Sequence, residues 1–123
     1  MDNFHYKWHT EKKYLKLEKF IEPCNKFSGI IWNRQCDEEK AQTVLLNFFN
    51  ALQKIKPDKK LNLGIRTGYY SFLINMIPLQ QAVSNNKYAL ACHELCTLFY
   101  NEPILQERIY YNLMLLYKTY LGK

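Results

Sequence analysis

Apolar residues return along this chain with the spacing of helices. Tyr14, Leu17 and Ile21 fall at i, i+3 and i+7, and Lys12, Lys16 and Lys19 repeat on the opposite side. Side chains three and four apart share a helix face, so a helix starting near Glu11 has one apolar and one basic face. Thr10 is placed to cap it and Pro23 to stop it. A second helix is more sharply drawn. Asp37 is an N-cap residue, Glu38 and Glu39 suit the positive end of the helix dipole, and Ala41, Val44, Leu45, Phe48, Leu52 and Ile55 form a broad stripe. Lys54 and Lys56 bring cations to its carbonyl end before Pro57.

A third stripe, Tyr69, Phe72, Leu73, Met76, Leu79 and Val83, keeps register through Pro78, which predicts a kinked helix. Gly64 and Gly68 are assigned to the connection before it. Ser84, Asn85 and Asn86 make a tight stop, and a further helix begins near Lys87. Two helices joined by so short a turn run antiparallel, giving an αα-hairpin over roughly 69–101. Asn101 to Pro103 repeats the punctuation, and a C-terminal helix runs on to Gly122. Its core stripe is Leu105, Ile109, Leu113, Leu116 and Tyr120. Ile104, Tyr111 and Leu115 lie on another side, with Tyr110, Met114, Tyr117 and Leu121 between. A helix apolar nearly all round is either central to its fold or covered by a second chain.

The expected object is therefore all-α, a compact bundle of about five helices in one domain over 1–123, with the C-terminal helix at its centre. Only the start breaks the pattern: Phe4, Tyr6 and Trp8 alternate with His5 and Lys7, so residues 1–9 read as an extended arm.

Composition changes this picture little. Hydrophobic residues are 48% and charged residues 23%, with four Gly and four Pro, which leaves little room for long disorder. A chain of 123 residues can bury a sufficient core without metal or disulfide. No apolar run approaches the ~20 residues of a membrane span, and the first residues lack the apolar centre of a secretory signal. The expected location is cytoplasmic, in the host cytoplasm for a viral or phage chain, where Cys24, Cys36, Cys92 and Cys96 stay thiols.

The stretch "CHELC" at 92–96 is the sharpest chemical candidate. On a helix, Cys92 and Cys96 stack on one face, with His93 about 100° round from Cys92. A zinc ion would need a fourth ligand from Cys24 or Cys36, and those two are too far apart in sequence to make the second short-spaced pair of a structural site. Tyr88, Cys92, Leu95, Cys96 and Phe99 instead complete an apolar stripe in which a small sulfur side chain packs well. The expectation is packing, with no metal, cofactor, small-molecule ligand or catalytic group. No nucleophile elbow, phosphate-binding glycine loop or His-Glu-x-x-His motif is present.

Two interaction surfaces remain. One is apolar: Tyr111, Leu115 and Tyr117 on the C-terminal helix are expected to anchor a protein partner or a second copy, as an accessory subunit or inhibitor does. The other is basic. Seventeen Lys and Arg outweigh eleven acids for a net charge of +6. Lys12, Lys13, Lys16 and Lys19 could meet successive phosphates with Trp8 upstream as a stacking ring, and Lys54, Lys56, Lys59 and Lys60 would extend that face if turned the same way. Arginine, the preferred reader of base edges, is scarce, so nucleic acid would be held without sequence preference.

Overall fold

The computed structural model describes residues 12–27, 37–57, 65–102 and 104–122. The extended reading of 1–9 and the predicted roles of Trp8, Cys36, Lys59 and Lys60 lie outside them. The described chain forms five helices, and no strand occurs among the described residues. None of these helices is long and apolar enough to cross a membrane.

The first helix, α1, spans Lys12–Asn25 and buries Tyr14, Leu17, Ile21 and Cys24. It does not stop at Pro23, which lies inside it. A proline so near the end costs a single backbone bond. Cys24 and Phe27, both buried, continue the apolar stripe beyond it and hold the last turn down. The second helix, α2, spans Glu38–Gln53. Asp37 caps it as expected, accepting the Lys40 N–H at 3.0 Å. Lys54 is its C-cap residue, and beyond the helix Lys13 Nζ donates to the Lys56 carbonyl at 3.2 Å.

Helix α3 spans Ile65–Ser84 and passes unbroken through Pro78. It begins four residues before Tyr69, so Gly68 belongs to the helix and not to the connection. Met76 just before the proline and Leu79, Ala82 and Val83 after it are all buried, so the core holds the helix on both sides of Pro78. The turn that follows has Asn86 at φ 59°, a left-handed conformation that asparagine tolerates, and the Lys87 N–H returns to the Ala82 carbonyl at 2.8 Å.

Helix α4, Tyr88–Asn101, completes the expected αα-hairpin. Its N-terminus has no cap of its own. Glu38, at the head of α2, reaches across instead, and its Oε1 accepts the N–H groups of Tyr88 at 2.7 Å and Ala89 at 3.0 Å. The last helix, α5, spans Glu107–Leu116 and widens into a π-helical turn over Tyr117–Leu121.

The centre of the bundle belongs to α4 and not to the C-terminal helix. Helix α4 packs against α1, α2 and α3 together, and its Ala89, Ala91, Cys92 and Cys96 are small enough to let those neighbours approach closely. Helix α5 is flanked chiefly by α3 on its backbone and reaches α2 through tyrosines. An aromatic cluster joins the layers: Tyr14 stacks on Phe99 at 4.4 Å, Phe99 meets Phe48 edge-on, and Tyr117 stacks on Phe49 at 5.6 Å.

Candidate functional site

Helix α4 and the end of α1 bring Cys24, Cys92 and Cys96 into one buried region, so the three thiols separated in sequence do converge. Each donates to a backbone carbonyl: Cys24 to Val44 at 3.6 Å, Cys92 to Ala41 at 3.5 Å and Cys96 to Ile21 at 3.9 Å. The Cys92 thiol is pushed far above its ordinary range, first by its hydrogen bond with Cys24, then by burial and the neighbouring acidic groups. A nucleophile or soft-metal ligand must be a thiolate, which calls for the opposite surroundings. Among the described residues, no group of three or more Cys, His, Asp and Glu has metal-holding geometry. His93 is half-buried, with Nδ1 shielded and without a partner.

The predicted apolar trio is divided. Tyr111 and Leu115 face solvent, 58% and 64% exposed. Tyr117 turns inward, its ring on Phe49 and its hydroxyl donating to Asn50 Oδ1 at 2.6 Å. Beside Leu115 a shallow cavity of about 210 Å³ opens between α3 and α5, lined by Met76, Gln80, Asn112, Leu116, Thr119 and Tyr120. Met76 and Gln80 are the α3 side of this cavity, and the exposed Ile74 and Ile77 of the same helix do not line it. Sequence reasoning missed this α3 contribution, because the stripe at Met76 and Leu79 drew attention to the buried side.

On the basic side, Lys12, Lys16 and Lys19 are exposed, whereas Lys13 is engaged with the Lys56 carbonyl in the segment that follows α2. Lys16 and Lys54, from the two lysine clusters, line one groove of about 510 Å³ between α1 and α2, together with Phe20, Asn47, Asn50, Ala51 and Ile55. Phe20 and the two asparagines were not foreseen. Their signal was present: Phe20 follows Lys16 by four residues, and Asn47, Asn50 and Lys54 recur at i, i+3 and i+7, so each set shares a helix face.

Comparison with known protein families, curated proteins and solved structures finds no match to this chain. The chemistry of these surfaces alone bears on function.

Proposed function

We propose that the protein works without catalysis, docking onto a protein partner as an accessory subunit or inhibitor, inside the cell. The observation that carries this reading is the exposure of Leu115 at 64% and Tyr111 at 58% on a helix whose other face is fully packed. Large apolar side chains gathered at a concave edge gain most when a partner covers them. Leu115 and Tyr111 are the anchors, and the cavity beside Leu115 receives an apolar side chain of the partner. Tyr117 supports the edge from within. The net charge of +6 favours encounter with an acidic partner surface.

The test is site-specific photo-crosslinking in extract of the native source, with a photoreactive phenylalanine at position 115. A discrete conjugate at 115, absent when the probe stands at exposed Lys87 and lost in a Tyr111→Asp background, supports the reading. Conjugation equal at both positions, or none at either, contradicts it. Light scattering of the purified chain separates the two kinds of partner, since a conjugate of twice the chain mass accompanied by a dimer assigns the edge to self-association.

A further inference from the structure

The groove between α1 and α2 is separate from that apolar edge and has a different chemistry. Its volume of about 510 Å³ lies within the range of ligand sites. Lys16 stands on one wall and Lys54 on the other, with no carboxylate among the described lining residues. Lys12 and Lys19, exposed on the same side of α1 as Lys16, continue the positive rim beyond it.

Two further features point to a particular polyanion. The Phe20 ring is 39% exposed within this lysine-lined groove, and Ile55 supplies an aliphatic surface beside it. A ring among ammonium groups has no evident use for carboxylates alone, but it is what an unstacked base needs next to its phosphates. Asn50 is polarised for the same task. Its carbonyl oxygen accepts the Tyr117 hydroxyl at 2.6 Å, which leaves the NH₂, a donor, to turn toward the groove.

We propose that this groove binds single-stranded nucleic acid by its phosphates, with a base laid on Phe20. Lys16 and Lys54 clamp the strand from two sides, and Lys12 and Lys19 carry the backbone along α1. A duplex could reach the lysines but would leave the ring unused, so single strands are preferred. The scarcity of arginine predicts little sequence discrimination.

Fluorescence anisotropy with the full chain and labelled oligothymidine, oligouridine and a duplex of equal length tests this across a salt series. The single strands are expected to bind more tightly than the duplex, with log K falling against log salt at a slope between about −1.4 and −2.8, as two to four phosphate contacts require. Lys16→Ala combined with Lys54→Ala removes about 1.4 from the magnitude of that slope and weakens binding at least about tenfold. Phe20→Ala weakens it about tenfold with the slope unchanged. All three side chains are exposed, and circular dichroism verifies that the variants keep their helices. No binding at low salt overturns the proposal, as does binding that survives the double lysine variant. Equal affinity for polyglutamate, indifferent to Phe20→Ala, also overturns it and assigns the groove to an acidic protein surface.

Discussion

Helices α4 and α5 look alike on paper, both apolar around most of their circumference, yet one is enclosed by three neighbours and the other keeps an open edge. The difference lies in side-chain size. Along α4 the positions facing neighbours include Ala89, Ala91, Cys92 and Cys96, which let helices approach from several sides. Along α5 the comparable positions carry Tyr110, Tyr111 and Leu115, and of these only Tyr110 is absorbed, its hydroxyl donating to the Gln53 carbonyl at 3.2 Å. In this bundle the central helix is the one with small residues at its contacts, and the large apolar residues that α5 leaves uncovered form the edge proposed for docking.

The contrast is broken most severely at Phe99, fully buried where α1, α2 and α4 meet. Phe99→Ala should cost about 3–5 kcal/mol in denaturant unfolding. A loss below about 1 kcal/mol would show that α4 is not the hub.

Next is the borrowed cap. Glu38→Ala strips two N–H groups at the start of α4 of their acceptor and should cost about 1 kcal/mol, on the scale of a lost N-cap. Glu38→Gln keeps an acceptor and should recover much of that stability. Hydrogen exchange should locate the damage at Tyr88 to Ala91, fifty residues from the substitution in sequence. Uniform acceleration throughout the chain would refute a local cap.

A third change acts through pH. Tyr14 donates to the Phe99 carbonyl, near the C-terminal end of α4, and burial, with smaller contributions from Tyr100, Glu18 and Glu102, pushes its hydroxyl well above the ordinary range. Because the folded-state value is the higher one, the contribution is complete below the unfolded pKa of about 10 and is lost as pH rises beyond it. Tyr14→Phe should lower stability at neutral pH by roughly 1 kcal/mol and flatten the alkaline fall. An unchanged alkaline limb would assign that fall to other groups.

Much of the architecture was legible because buried helix faces impose their period on the residues that build them. The stripes at Tyr14, Leu17 and Ile21 and at Leu45, Phe48 and Leu52 became buried faces, and Asp37 became a cap. What failed were local rules overruled by packing. Pro23 did not end α1, since Cys24 and Phe27 are buried beyond it, and Gly68 did not hold back the start of α3, whereas the register expected through Pro78 held, with Leu79 and Val83 buried past the proline. The surfaces divide in the same way. Tyr111 and Leu115 could be found from one helix alone, because their side of the wheel is visible in the spacing. The inward turn of Tyr117 depends on Phe49 and Asn50, and the groove depends on how α1 lies against α2. Relations between distant helices leave no period to read.

The most direct test of an open edge on α5 is the unfolding free energy of Leu115→Asp, set beside Leu113→Asp two residues away. The protein's own packing covers Leu113 completely and leaves Leu115 64% exposed. Leu115→Asp should stay within about 0.5 kcal/mol of the parent chain, while Leu113→Asp should cost several kcal/mol or prevent folding. A loss above about 2 kcal/mol at Leu115 would mean that the protein covers this side chain itself, and the docking edge would not exist.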